Sequence, residues 1–401
     1  MSDTFDAIKR AEEALLFKTY SRYPIAVARG LGSRLWDMDG KEYIDLLAGI
    51  AVTGLGHCHP EIAEAIADQA KKLIHVSNLF YQREQLDLAR RILATAHFDK
   101  VFFCNSGAEA NEAAIKLARR YQQRVQNRNA FEIITFNGCF HGRTLATVAA
   151  TGQQKFQDGF APMPEGFTQI AWGDPAALEA AISDKSAGVL IEMIQGEGGI
   201  RPARPEFIRA VERVCKDKGV LFMVDEVQAG MGRTGSWWAF QHFGVVPDIM
   251  TTAKSLANGL PMGAMLGTDE VARAFVAGSH ATTFGASALV SAAASKVFEI
   301  IERDHLLRHA GELGGWAMRR FEAVGKACPG AITEVRGMGL MIGIELAFPG
   351  KALWEALLQK GFILNLTQEK VLRLLPALTI GQEDLERFAL ALEALLPEHA
   401  A

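Results

Sequence analysis

The chain has little of several features that mark whole protein classes, and each shortage excludes one. Its five cysteines (Cys58, Cys104, Cys139, Cys215 and Cys328) are odd in number, scattered and never spaced as CxxC. That argues against a disulfide framework and for reduced thiols in a cytoplasmic protein. No stretch approaches the ~18 consecutive apolar residues of a membrane span. The opening MSDTFDAIKRAEEALL carries early acids and no long apolar region, so it does not read as a signal peptide. Without secretion, the acceptor triplet Asn365-Leu366-Thr367 means little. The net charge of −4 shows no basic excess for nucleic acid or an anionic membrane surface. Internal repeats and low-complexity linkers are also missing. What is there is 49% apolar and 22% charged over 401 residues, the composition of a soluble globular chain with a large core. Length alone suggests about two or three domains.

Against that background one stretch organises the rest. Residues 219–254 read GVLFMVDEVQAGMGRTGSWWAFQHFGVVPDIMTTAK. The unbroken apolar run Val220 to Val224 predicts a strand buried on both faces of a parallel sheet. Asp225 and Glu226 close it, which places a carboxylate at the strand's carboxyl end, where open α/β sheets bind ligands. Gly230, Gly232 and Gly235 keep the next segment in a loop, Asp248 to Thr252 predicts a second strand, and Lys254 follows its end. Lys254 arrives about 29 residues after Asp225, the size of a strand-to-strand crossover. Taken singly, these residues read as a turn cap and an exposed lysine. Delivered together, they suit pyridoxal 5'-phosphate, which bonds to a lysine amine and needs an acid to keep its pyridine nitrogen protonated. A lysine that also moves protons needs a lowered pKa, from desolvation or nearby cations.

Other motifs fall at similar places. Val101 to Cys104 predicts a buried strand, followed by Asn105-Ser106-Gly107-Ala108-Glu109 and a helix to about Arg124 with apolar i, i+3, i+4, i+7 spacing. Ser106 and Glu109 fit a capping box, and the same strand, glycine turn and helix start form an anion site. Phe131 to Phe136 predicts a strand ahead of Asn137-Gly138-Cys139-Phe140-His141-Gly142-Arg143. Gly188 to Ile194 predicts another, ending in Gln195-Gly196-Glu197. Arg34 to Leu46 reads as a hairpin turning at Asp39-Gly40. His57, Cys58 and His59 are adjacent, so their side chains diverge, and no second ligand pair lies nearby; the segment is read as glycine loop, with no metal site. Gly337, Gly339 and Gly343 are misspaced for a dinucleotide fingerprint and follow no strand-to-helix unit.

The strings VDEVQAGMGRTG and PDIMTTAKSLANGLPMGAM resemble those of class III (ω-amino acid) pyridoxal-phosphate aminotransferases and, within that class, are similar to acetylornithine aminotransferases. The resemblance runs from about Tyr20 to Pro376. It implies an α/β, fold-type I architecture: a large domain (51–300) with a mostly parallel sheet, and a smaller α+β domain built from 1–50 and 301–401. It implies a homodimer with shared active sites. In this family Lys254 and Asp225 serve the cofactor, and Ser106, Gly107 and Ala108 cradle its phosphate. Phe140 stacks on the ring and Gln228 reaches the ring hydroxyl. Thr283 bonds the phosphate across the dimer. By the same resemblance Arg143 would hold the substrate α-carboxylate, Tyr20 would help place it, and Thr282 would touch the substrate. Glu197 gates Arg373, pairing with it while the diamine is bound and releasing it for a dicarboxylate. The chain departs from the family in having Ala108 for Thr, EMIQGEGG for EPVQGEGG, and Gly285-Ala286-Ser287-Ala288 for Gly-Gly-Asn-Pro.

The implied reaction moves the terminal amino group of N2-acetyl-L-ornithine to 2-oxoglutarate. The products are N-acetyl-L-glutamate 5-semialdehyde and L-glutamate, a step of arginine biosynthesis. Alternatives are an ornithine, succinylornithine or 4-aminobutyrate aminotransferase, a mutase or racemase on the same scaffold, and a non-catalytic scaffold.

Overall fold

The computed structural model describes residues 4–399. Its centre is a seven-stranded sheet ordered Lys100–Cys104, Gly263–Gly267, Ile249–Thr252, Leu221–Asp225, Ser186–Glu192, Glu132–Phe136, Phe167–Ile170. Only Gly263–Gly267 runs against its neighbours; every other pairing in this sheet is parallel. The α/β class with a mostly parallel sheet is therefore the one that forms. Continuous apolar runs do what parallel strands covered on both faces require. Every residue of Leu221–Asp225 and of Ser186–Glu192 is buried. The register sets Asp225 directly between Glu192 and Thr251.

Helices feed these strands. Pro205–Lys218 starts on a proline, whose missing N–H costs nothing in the first turn. It ends on Gly219, at φ +62, in the left-handed region that closes a helix most cheaply on glycine. The chain then enters Leu221–Asp225. Gly107–Arg124 packs across Gly263–Gly267 and Ile249–Thr252. It is capped by Ser106 Oγ, which accepts from Glu109 N at 3.2 Å. The reciprocal arm of the cap reaches one residue further back than a standard box: Glu109 Oε2 accepts from Asn105 N at 2.6 Å.

Two smaller sheets flank this core. One joins Val27–Leu31, Arg34–Asp37 and Glu42–Asp45 to Phe362–Ile363, so it draws on early and late chain alike. Its Arg34–Asp37/Glu42–Asp45 pair is the hairpin expected at Asp39-Gly40. The other contains Ile332–Met338, Met341–Leu346, Val371–Leu374 and Asn365–Thr367. The helix Leu306–Ala327 lies where sequence patterning assigned no element. It contains Gly311, Gly314, Gly315 and Gly325, which argue against a helix by propensity. Packing explains Gly314, because a Cβ there would overlap the Gly339 carbonyl.

The closing helix Gln382–His399 ties late chain to the flanking sheet through aromatic contacts. Phe388 is fully buried and meets Phe321 and Phe362 edge-on, each at 5.6 Å between ring centroids. Phe388→Ala removes a buried ring that no site residue touches. It is expected to cost about 3–5 kcal/mol, read as a lowered urea midpoint.

Candidate active site

The carboxyl ends of the parallel strands enclose a cavity of about 380 Å³. Four loops build its wall, each a direct consequence of strand direction. The Cys104 strand delivers Ser106, Gly107 and Ala108, the Phe136 strand delivers Phe140 and Arg143, the Asp225 strand delivers Gln228, and the Thr252 strand delivers Lys254. All of these residues, with Asp225 itself, line the cavity.

Asp225 is buried, and its carboxylate is met by three donors. Asn111 Nδ2 and His141 Nδ1 each lie 2.8 Å from Oδ2, and Val227 N lies 3.0 Å from Oδ1. Asn111 is itself fixed, accepting from Thr251 Oγ1 at 2.7 Å and donating to the His141 carbonyl at 2.8 Å. Burial alone lowers the pKa of His141. The Cys139 sulfur and the Asp225 carboxylate outweigh it and hold the imidazole well above its ordinary value. Oδ1 takes a single protein donor, which leaves it acceptor capacity for a ring N–H in the cavity it lines.

Lys254 is half-buried and makes no hydrogen bond or ion pair among the described residues. Burial is the largest influence on its amine and lowers the pKa. Glu197 opposes that, Arg373 adds to it, and Asp225 and Glu192 oppose it; the net fall is from 10.5 to about 8. Its backbone sits at φ +45, a left-handed conformation costing a non-glycine residue about 1–3 kcal/mol. The next residues hold it there. Ser255 Oγ donates to Ala51 O at 2.7 Å, and Asn258 Oδ1 accepts from Leu55 N at 2.8 Å. The early glycine loop is thus the strut behind the lysine: a Cβ on Gly54 would stand 2.8 Å from Ser255 Oγ. In that loop His57 Nε2 lies 2.6 Å from Asp45 Oδ2.

The residues present fit pyridoxal phosphate. The first-turn amides of Gly107 and Ala108 have no protein acceptor among the described residues, and they open an 18-residue helix. Free amides at a helix start are the arrangement that suits a phosphate. A Cβ on Gly107 would press to 2.7 Å from Val227 Cγ1, so glycine keeps this wall open. Val227 and Phe140 line the same cavity and offer apolar surface for a flat ring. Arg143 is exposed at this wall, with no carboxylate partner among the described residues. Its guanidinium rests over the rings of Phe156 (4.2 Å) and Phe140 (5.6 Å).

Glu197 and Arg373 form a pair behind Gln228. Arg373 Nη1 lies 2.5 Å from Glu197 Oε1 and donates to Gln228 Oε1 at 3.4 Å. Burial opposes ionisation of Glu197, but Arg373, followed by Lys254 and Gln228, prevails and lowers its pKa. Three expected site residues lie elsewhere in this chain. Thr282 and Thr283 line a separate groove with Ser77 and Asn78, and Thr282 Oγ1 accepts from Asn105 Nδ2 at 3.1 Å. Tyr20 is 75% exposed in a groove against the N-terminal helix. Sequence reasoning missed Asn111, His141, Val227 and Glu192. Glu192 ends a strand just as Asp225 does, so the strand-end rule could have found it. Its carboxylate accepts from Phe140 N (3.0 Å) and Gly196 N (3.3 Å), and burial is the chief reason its pKa rises to about 7.

The aminotransferase class-III family model matches residues 17–396. An acetylornithine aminotransferase of Methanocaldococcus jannaschii is 45% identical over 387 residues, covering 96% of this chain and 97% of that protein. Two solved structures share the fold. The ornithine aminotransferase of Toxoplasma gondii, with pyridoxal phosphate at partial occupancy in its active site, superposes at TM-score 0.95 and 29% identity, over 100% of this chain and 96% of that one. The acetylornithine aminotransferase of Elizabethkingia anophelis superposes at 0.89 and 31%, over 99% of this chain and all of that one.

The environment of Lys254 has a signed pH dependence. Its folded pKa lies below the unfolded one, so between about pH 8 and 10.5 the unfolded chain binds more protons and this group adds stability as pH rises. In protein stripped of bound aldehydes, acylation of Lys254, followed by peptide mass spectrometry, is expected to rise with a midpoint near pH 8. Glu197→Gln removes the strongest raising influence and should move that midpoint lower. A midpoint at the ordinary lysine value would contradict the assignment.

Proposed function

The chain belongs to the class-III aminotransferase family, and from that premise we propose that it transfers the terminal amino group of N2-acetyl-L-ornithine to 2-oxoglutarate. The cofactor of this reading is pyridoxal phosphate, held by Ser106, Gly107, Ala108, Phe140, Asp225, Gln228 and Lys254. When bound, it supplies an electron-withdrawing ring that lets a proton leave the carbon bearing the substrate amine.

The chain's own residues divide the remaining work. Lys254 Nζ takes the proton up and returns it, which its lowered pKa makes possible near neutral pH. Asp225 holds a proton at the ring nitrogen, and the His141 and Asn111 contacts keep its carboxylate oriented. Arg143 binds the α-carboxylate of the donor through its planar fork. Arg373, close enough to Lys254 to influence its amine, is the second anchor, neutralised by Glu197 for the donor and released to the carboxylate of 2-oxoglutarate that adjoins the reacting carbon.

The observation that carries this reading is the Glu197–Arg373 pair, 2.5 Å apart and bonded to Gln228, which lines the cavity. One site must serve a substrate with a single carboxylate and another with two, and an arginine that an adjacent acid can mask meets that need. A mutase or racemase needs no such mask, and a scaffold needs no depressed lysine. The ornithine aminotransferase likeness keeps free ornithine as the second reading.

The proposal extends to a homodimer with shared sites. The groove bearing Thr283 is rimmed by exposed apolar side chains, among them Leu79 (87% exposed), Phe80 (64%) and Phe284 (64%). Such a patch suits coverage by a second copy, which would bring its Thr282 and Thr283 to this chain's phosphate cradle. The division into 51–300 and 1–50 with 301–401 belongs to the same proposal.

Steady-state rates with acetylated ornithine, free ornithine, succinylornithine and 4-aminobutyrate, each against 2-oxoglutarate, test it. The highest kcat/KM is expected with the acetylated donor, and a higher value with free ornithine would move the assignment to an ornithine aminotransferase. Lys254→Ala is expected to lower turnover by at least about 10²–10⁴-fold, and retained turnover would reject its role.

A further inference from the structure

Glu197 is gripped at both ends by one hairpin. The hairpin pairs Asn365–Thr367 with Val371–Leu374, and its second strand supplies Arg373 to the Glu197 carboxylate. Its first strand and turn reach the Glu197 main chain instead. Thr367 Oγ1 donates to the Glu197 carbonyl at 3.1 Å, and Gln368 Nε2 donates to the same oxygen at 2.7 Å. The segment beyond Glu197 is pinned too: Arg336 Nε donates to the carbonyls of Gly199 and Ile200 at 3.1 and 2.8 Å. Gln368 Nε2 also lies 3.4 Å from Gln153 Oε1, and Gln153 Nε2 donates to the carbonyls of Gly138 and Cys139, in the loop that presents Phe140.

The turn that delivers these donors is strained. Gln368 and Glu369 sit at φ +50 and +61, two consecutive non-glycine residues in the left-handed region. Gly350 N, bonded to the Glu369 carbonyl at 2.8 Å, holds the turn in place. Gln368 is exposed and makes no contact that its own strand pairing requires. Of its two side-chain acceptors, Gln153 is bonded to the loop that presents Phe140 and Glu197 is the partner of Arg373.

We propose that Thr367 and Gln368 are specificity-determining positioning residues. By fixing the Glu197 carbonyl they keep its carboxylate on Arg373, and so they set how strongly a dicarboxylic acid must compete to reach that arginine. This rests on the gate reading of Glu197 and Arg373 above. With the backbone pinned at residues 197, 199 and 200, the gate opens by rotation of the Glu197 side chain while the loop stays in place. The pair re-forms when the dicarboxylate leaves, because the carboxylate has not been carried away.

Loosening the strap weakens the closed pair and favours the dicarboxylate. The test uses the holoenzyme and glutarate, an unreactive five-carbon dicarboxylate, titrated by calorimetry. Gln368→Ala and Thr367→Val are each expected to tighten glutarate binding and lower the KM for 2-oxoglutarate, by about threefold to tenfold. The saturated single-turnover rate of the donor half-reaction and the Tm should stay as in the parent. Thr367→Ser keeps the hydroxyl and should bind glutarate as the parent does. Glu197→Gln, run alongside, separates the two layers. If it tightens glutarate while both strap variants leave binding unchanged, the strap is overturned and the gate stands. If Glu197→Gln itself leaves glutarate binding unchanged, the gate falls and the strap with it. Equal losses in both half-reactions with a lowered Tm would make Thr367 and Gln368 merely structural and overturn the proposal.

Discussion

The site depends on giving one buried carboxylate, Asp225, more hydrogen-bond donors than the two acids beside it. Asp225, Glu226 and Glu192 crowd one end of the central sheet, and all three are buried. Ionised together they would repel one another with little water to screen them. The hydrogen bonding separates their duties. Asp225 receives three donors, one of them an imidazole held above its usual pKa. Glu226 receives the amides of Ala239 and Phe240 and is pushed by burial to about 8, and Glu192 is pushed to about 7. Two acids are driven toward the neutral form and become structural ties, while Asp225, with a single donor on Oδ1, is the one with acceptor capacity to spare in the cavity it lines.

The same desolvation acts on the amine opposite. Burial that penalises a carboxylate's charge also penalises an ammonium, so the environment that isolates Asp225 frees Lys254 of its proton near pH 8. The fold sustains this with local strain at Lys254, braced by Ser255 and Asn258 on the early glycine loop. Arg373, almost fully buried, is the second costly charge, and Glu197 compensates it while remaining partly accessible. A buried cation with a removable partner is a poor device for stability and a good one for selection between substrates.

Much of this could be read from the residues. Apolar runs ending in an acid located the Leu221–Asp225 strand and the end of it that opens on the cavity. The strand, glycine turn and helix at Ser106–Gly107 located a helix start that opens on the cavity. What could not be read rests on distance in sequence. His141 lies in a loop picked for its neighbours Phe140 and Arg143, and only folding sets its ring against Asp225. Asn111 hides at the buried face of a helix, where polar identity gives no hint of a partner 114 positions away. The Leu306–Ala327 helix was hidden by its four glycines, of which Gly314 is explained by close contact with Gly339. Thr282, Thr283 and Tyr20 do not join the cavity within one chain, because their segments fold into separate grooves that no local pattern marks.

The central claim is that the amine of Lys254 and the carboxylate of Asp225 bracket one pyridoxal phosphate ring. Borohydride reduction of the purified protein followed by peptide mapping tests it most directly. The account requires a phosphopyridoxyl group on Lys254, with yield falling sharply in Asp225→Ala. Modification of a different lysine, or none on protein saturated with the cofactor, would contradict it.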